Sequence, residues 1–421
     1  MDLESGARFI AYVDGLASVL GHADREGPLR DYCTGLILPG ERKSVEPMAA
    51  RTAPARVAAQ HQSLLHFVGT GPWSDEKVLA KVSELVLPAI ERHGAIEAWI
   101  IDDTGLPKKG RHSVGVQPQY CGQLGKEANC QVAVSLSVAN HFASLPVAYR
   151  LYLPKEWSED RARRERAGVP EEVRFKTKPQ IALELIRRAC TLGLPRGVVL
   201  MDLDYGRDSR LRTGVSALGL FYVAGIRPDV LVWPPGAMPK RGDKPLNNTG
   251  RRDEPDLISV KALVRGLPEQ AWCKIDWREG SDGSLSSRFV RVRVGHNRAI
   301  PDLVAEEWLL IEWPEGEAAP TKYWLSNLPA EISFERLVDI AKMRWRVERD
   351  YQELKQEVGL GHYEGRGWRG FHHHATLCIA AYGFLVSERA AIPPSEPRSA
   401  GLLSTPPLPR GYRPRGSAIA A

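Results

Sequence analysis

Two apolar runs in the 421-residue chain end in acids: "AWIIDDTG" sets Asp102 and Asp103 at the end of a strand-like segment, and "VVLMDLDYG" does the same with Asp202 and Asp204. A carboxylate at the C-terminal end of a strand is fixed by the sheet while the loop beyond leaves it accessible, which suits catalysis or metal binding. Asp and Thr also cap turns and helices, so neither segment decides alone. A third acid lies in "RWRVERDYQELK", where Arg344, Glu348, Tyr351 and Lys355 fall at i, i+4, i+7 and i+11 and share one helical face. On an isolated surface helix such a series is an ion-pair ladder, stabilising by a few tenths of a kcal/mol per pair. Here the stripe continues from Leu337, Ile340 and Ala341, with Trp345 and Leu354 beside it. It therefore points at the core, where a charged side chain needs a partner.

Two strand-end aspartates and a helix glutamate are hard oxygen donors of the kind that hold Mg²⁺ or Mn²⁺. Two such ions, about 3.5–4 Å apart, would activate the attacking oxygen and stabilise the leaving oxygen of a phosphodiester. Arg344 would grip a nearby phosphate bidentately and Lys355 as a point charge. Lys108, Lys109 and Arg111 follow the first acid, and Lys155, Arg161, Arg163, Arg164, Lys176 and Lys178 follow later; these could neutralise DNA phosphates or form a solvated charged face. Trp233, Trp272 and Trp277 suit core packing better than stacking on an extruded base. His372, His373 and His374 have no His or Cys partner at ligand spacing, which favours phosphate contact or helix capping over a zinc site.

These residues need a sheet to hold the aspartates and a helix to bring in the glutamate. Residues 1–95 show helical spacing, as in "SDEKVLAKVSELVLPAIERHG" between Ser74 and Gly94. From Ile96 the pattern becomes β, with "IEAWIID" followed by a hairpin of "CQVAVSLSV" and "LPVAYRLYLP", then helix, strand, helix and strand to residue 227. Residues 228–330 read as a mainly β insertion, and 331–390 as C-terminal helices carrying Glu348, with a helical period unbroken from Ser333 to Leu360. The Pro-, Ser- and Gly-rich tail, 391–421, reads as disordered. This order predicts an α/β fold, a mixed sheet flanked by helices. Net charge is +6, a modest lean towards a polyanionic partner. The six cysteines form no C-x-x-C pair, which argues against a zinc module or a disulfide scaffold. The absence of a signal-like start and of a long uncharged apolar run leads to the expectation of a cytoplasmic protein with no membrane partner.

The ordered segments "IDDTGLPKKGRHSVGVQPQYCGQLGKEANCQVAVSL", "RLYLPKEWSEDRARRERAGVP", "FKTKPQIALELI", "MDLDYGRD" and "RWRVERDYQELKQEVGLGHYEGRGWRGFHHH" span about residues 96–380. Together they resemble the DDE transposases of bacterial insertion sequences, of the insertion sequence seven-hundred-and-one type, and more remotely the group with a Y-(2)-R-(3)-E-(6)-K signature. The resemblance implies a ribonuclease H-like core with a β insertion before the glutamate helix. It also implies Mg²⁺-dependent cleavage at element ends and strand transfer into target DNA, on two Mg²⁺ or Mn²⁺ ions. Partners would be DNA and, at synapsis, a second copy of the chain, with localisation in the bacterial cytoplasm at the nucleoid and the helical N-terminal region a candidate for end binding. Arg344, Glu348 and Lys355 fall on the signature, whereas its tyrosine falls on Ala341; Tyr351 is a loose substitute. A D-x-T pattern selects Asp102 as first acid and a D-T pattern Asp103, with Asp102 preferred, while D-x-x-Y-G selects Asp202. Two rivals keep the fold: a ribonuclease H-like nuclease without strand transfer, and a silent DNA-binding regulator.

Overall fold

A computed structural model describes residues 3–237, 257–280, 283–297 and 304–391. Residues 392–421 of the proposed disordered tail, and 238–256, 281–282 and 298–303 of the proposed insertion, lie outside these described residues. Five helices come first: α1 (Leu3–Ala17), α2 (Glu26–Ile37), α3 (Val45–Thr52), α4 (Val57–Gly69) and α5 (Asp75–Glu91). The Ser74 hydroxyl caps α5 by accepting from the Lys77 amide at 3.3 Å, as its place before the apolar repeat predicts.

The chain then lays down β1 (Ala98–Pro107), β2 (Gln117–Cys121), β3 (Lys126–Ala139) and β4 (Ser144–Leu151). Helices α6 (Lys155–Glu159), α7 (Arg161–Ala167) and α8 (Lys178–Thr191) lead to β5 (Val198–Met201), α9 (Leu203–Gly206), α10 (Ser209–Ala217) and β6 (Tyr222–Gly225). β3 and β4 form the expected hairpin. The short strands β7 (Leu231–Val232) and β8 (Ile258–Ser259) pair apart from the main sheet, followed by α11 (Val260–Arg265). Strands β9 (Cys273–Gly280), β10 (Gly283–Asn297), β11 (Val304–Pro314) and β12 (Lys322–Ser326) continue the main sheet, in the order β2-β3-β1-β5-β6-β12-β11-β10-β9, with β4 on β3. β1, β5 and β6 are parallel and the remaining pairings antiparallel. This mixed sheet flanked by helices is consistent with the ribonuclease H-like architecture expected above.

Three helices close the described chain: α12 (Phe334–Lys342), α13 (Trp345–Gln356) and α14 (Trp368–Ala391). The unbroken helical period expected from Ser333 to Leu360 is corrected here: the ladder is interrupted at Met343–Arg344 and α13 ends at Gln356. No Gly or Pro marks the interruption, where the Arg346 and Val347 amides bond three residues back, to the carbonyls of Met343 and Arg344, while Ala341, Met343 and Val347 are all buried. α14 is apolar nearly all round, because it runs through the core between the sheet and α1–α5.

Candidate active site

The register of β1 on β5 pairs Ala98 with Val198 and Ile100 with Leu200. Carried two residues further, it sets Asp102 beside Asp202. Both acids stand where the buried parallel strands run out: Ala98–Ile101 are fully covered and Asp102 is the first partly open residue. Asp202 leaves the end of β5 as the N-cap of α9, and its Oδ1 accepts from the amides of Asp204 (3.0 Å) and Tyr205 (3.1 Å). Its Oδ2 is free of these amides and meets Arg344 Nη2 at 3.4 Å. The turn is held close to the sheet by two glycines. A Cβ on Gly206 would collide with the Gly225 carbonyl, and one on Gly225 would come within 2.9 Å of the Asp202 carbonyl carbon.

One guanidinium touches all three acids. Arg344, at the joint between α12 and α13, places Nη2 3.2 Å from Asp102 Oδ1 and 3.4 Å from Asp202 Oδ2, and Nη1 3.0 Å from Glu348 Oε1. Glu348 is the outer member, its side chain 66% exposed, against 16% for Asp102. Burial pushes the Asp102 carboxyl up to about 7 against the pull of Arg344, and the charges of Asp202 and Asp103 add to the rise. Asp202 is raised by burial as well, opposed by Arg344 and the Tyr205 amide.

Asp103 takes different partners, as the alternation of a strand dictates. Its Oδ2 receives Lys178 Nζ at 2.7 Å and the Tyr205 hydroxyl at 3.3 Å. Lys178, read from sequence as a candidate phosphate contact, is thus paired beside the site. Behind Asp102, Ser135 sits opposite it on β3 and donates to its carbonyl at 3.3 Å. Tyr351 is buried, so it packs into the core rather than facing the surface. Ala341, the position of the signature tyrosine, is buried too.

Half-buried Lys355 lies in the field of Asp102 and Asp103, and burial lowers its ammonium below the ordinary value despite that field. Lys108 donates to the Tyr363 carbonyl at 2.6 Å and burial lowers it to about 8, whereas Lys109 is exposed.

Over residues 15–284 the chain matches the family model described as DDE superfamily endonuclease. The chain belongs to that superfamily. It is also similar to a protein of Microchaete diplosiphon named "Probable transposase for insertion sequence element IS701", 28% identical over 312 residues, which cover 72% of this chain and 69% of that protein. The family match includes Asp102, Asp103 and Asp202 and stops before Arg344, Glu348 and Lys355. Attachment of those three to this DDE superfamily chain's acids therefore rests on the geometry above.

Other sequence-based candidates sit elsewhere. The three histidines are buried and bonded inside the core, which corrects the expectation of phosphate contact. His372 Nδ1 meets the Trp368 carbonyl at 2.9 Å, His373 bridges the carbonyls of Val68 and Trp73 at 3.0 Å each, and His374 pairs with the Tyr32 hydroxyl at 2.9 Å. Arg161 pairs with Glu165, Lys176 with Glu184, and Arg164 donates to the Pro170 carbonyl. Trp277 lies under Lys342, whose ammonium is 3.9 Å from the ring centroid. A second grouping of possible ligands, Glu97, His141 and Asp339, lies at the opposite end of β1. Arg336 bridges its two acids, making it an ion-pair knot between the β3–β4 turn and α12.

Proposed function

We propose that the chain is a transposase that cleaves DNA at the ends of its element and joins the freed 3′-hydroxyl to target DNA, with Asp102, Asp202 and Glu348 as its acid triad. The observation that carries this reading is the single Arg344 guanidinium in contact with all three carboxylates. Side chains from β1, β5 and α13 meet around one positive charge, and such a convergence of hard oxygen donors fits divalent ions. The superfamily membership and the similarity to the named transposase support the same chemistry. Asp102, Asp202 and Glu348 would hold Mg²⁺ or Mn²⁺, two ions in the full site. Bound there, the ions supply an activated oxygen nucleophile and charge stabilisation for the leaving oxygen.

The chain's own residues do the positioning. Backbone amides at the start of α9 fix one oxygen of Asp202, and Ser135 braces the strand behind Asp102. Lys178 and Tyr205 bind and orient Asp103, giving the fourth acid beside the cluster a counter-ion of its own. Arg344, Lys355, Lys108 and Lys109 are the proposed contacts to DNA phosphates, Arg344 by its fork and the lysines as point charges. Two ends brought together for joining call for at least two copies of the chain during the reaction.

The test is a cleavage and joining assay with Mg²⁺ on DNA carrying the sequences that flank the gene. Wild type should yield joined product, and Asp202→Asn and Glu348→Gln should each lose more than the ~100-fold typical of outer-sphere partners of a metal. Undiminished activity in either variant would remove that residue from the triad. Cleavage without joined product would indicate the nuclease, and binding without cleavage the silent regulator.

A further inference from the structure

We infer that Arg344 is a resident counter-ion that keeps divalent ions out of the acid cluster until a DNA phosphate draws the guanidinium away, so that metal loading and DNA binding are interlocked. The inference rests on the proposed triad of Asp102, Asp202 and Glu348. The same oxygens are wanted twice. Asp202 has spent Oδ1 on two backbone amides, and the oxygen left for a ligand, Oδ2, is the one 3.4 Å from Arg344. Asp102 Oδ1 and Glu348 Oε1 are likewise within 3.2 Å and 3.0 Å of the guanidinium. An ion held by these acids would compete with Arg344 Nη1 and Nη2 for the same oxygens, and repulsion between the guanidinium and a divalent ion so close by works against holding both.

Among the described residues, these three carboxylates are the polar partners of the guanidinium. Its Nε is buried with no hydrogen-bond partner among the described residues, an orphaned donor of the kind that costs free energy until it is met. A phosphate meets that need, since the Nε and Nη edge of arginine is the fork that two phosphate oxygens accept. The location permits the exchange. Arg344 stands at the joint of α12 and α13 with its side chain 22% exposed, one helical turn from Glu348, so rotation about its own stem moves it between acids and solvent. Because coupling between two ligands is reciprocal, a phosphate that tightens ion binding implies ions that tighten DNA binding by the same factor.

The experiment is a Mn²⁺ titration of the full-length protein, followed by the electron paramagnetic resonance signal of free Mn²⁺, with and without a duplex from the DNA flanking the gene. The duplex alone serves as blank. Without DNA, Arg344→Gln should bind Mn²⁺ about tenfold more tightly than wild type, within the usual range of such coupling. Adding the duplex should tighten wild type by a similar factor and leave Arg344→Gln unchanged. Arg344→Lys, which keeps a cation but not the fork, should fall between them and serves if the glutamine variant fails to fold. Equal affinity in wild type and a folded variant, or a DNA effect that survives in Arg344→Gln, overturns the interlock. Asp202→Asn and Glu348→Gln separate the two levels: if neither weakens Mn²⁺ binding, the triad itself fails. If they weaken it but loss of Arg344 does not tighten it, only the interlock fails.

Discussion

At the scale of single residues, adjacent acids in one strand are not equivalent. Asp102 meets Arg344, whereas Asp103 meets Lys178 and Tyr205. Under the proposed reading, Asp102→Asn removes a metal-holding carboxylate and should cost cleavage more than ~100-fold, while Asp103→Asn removes an outer support and should cost roughly 10–100-fold. Lys178→Met should resemble Asp103→Asn, and a single-turnover cleavage assay ranks the three. Equal losses in Asp102→Asn and Asp103→Asn would erase the distinction. The dipeptide carries no sign of which acid faces which way; that follows from the pairing of β1 with β3 and β5. Nor do Lys178 and Tyr205 announce themselves, since each meets Asp103 through the fold rather than through spacing along the chain. By contrast, Arg344 and Glu348 were legible as a helical pair because i, i+4 neighbours touch in any helix.

At the scale of elements, α12 is tied to the strands beside it by a buried ion pair. Lys342 Nζ lies 2.7 and 2.9 Å from the oxygens of Glu312 on β11, Ser287 on β10 also donates to Glu312 at 2.9 Å, and the pair's side chains are only 9% and 3% exposed. Removing one partner leaves the other charge buried, so Lys342→Met should destabilise the fold by roughly 3–5 kcal/mol, and adding Glu312→Gln should restore part of that loss. Chemical denaturation of the single and double variants measures both terms; additive losses would contradict the pairing. The start of α14 makes a pH prediction. Burial lowers His373 to about 4 and His374 to about 3, from an ordinary 6.5. The unfolded chain therefore binds protons that the native fold excludes, so this stability is fully present above pH ~6.5 and drains away as pH falls towards 4, at ~1.4 kcal/mol per group per pH unit. Denaturation midpoints across that range should fall with pH, and replacing both histidines with glutamine should flatten the slope. A slope unchanged by the double replacement would exclude these groups as its source. The existence of α12–α14 was legible from apolar spacing, but the break at Met343–Arg344 was not, because no Gly or Pro marks it.

At the scale of the whole molecule, the helical N-terminal region reads from sequence as a unit of its own, yet its helices supply one wall of the core. Phe9 and Phe384 meet edge to face with centroids 5.0 Å apart, the Tyr12 hydroxyl donates to the Ala380 carbonyl at 2.8 Å, and Trp73 stacks on His373 at 3.5 Å. Leu377, Ala380 and Cys378 of α14 are fully covered in this packing. Local periodicity could show that residues 1–95 form helices, but not what those helices bury against, since the partner helix begins at Trp368. Deleting residues 1–91 would strip α14 of that cover. Each large apolar side chain returned to water costs ~1.5–3 kcal/mol, so losing even half a dozen such contacts matches the ~5–15 kcal/mol that holds a typical native protein together. The fragment 92–421 should therefore fail to accumulate as a folded, soluble species, and the full chain should melt without an early transition belonging to residues 1–91 alone. Scanning calorimetry of the full chain and near-ultraviolet circular dichroism of the fragment test both statements. A fragment that melts cooperatively would show that α14 finds its cover elsewhere and that the N-terminal helices are a separable domain.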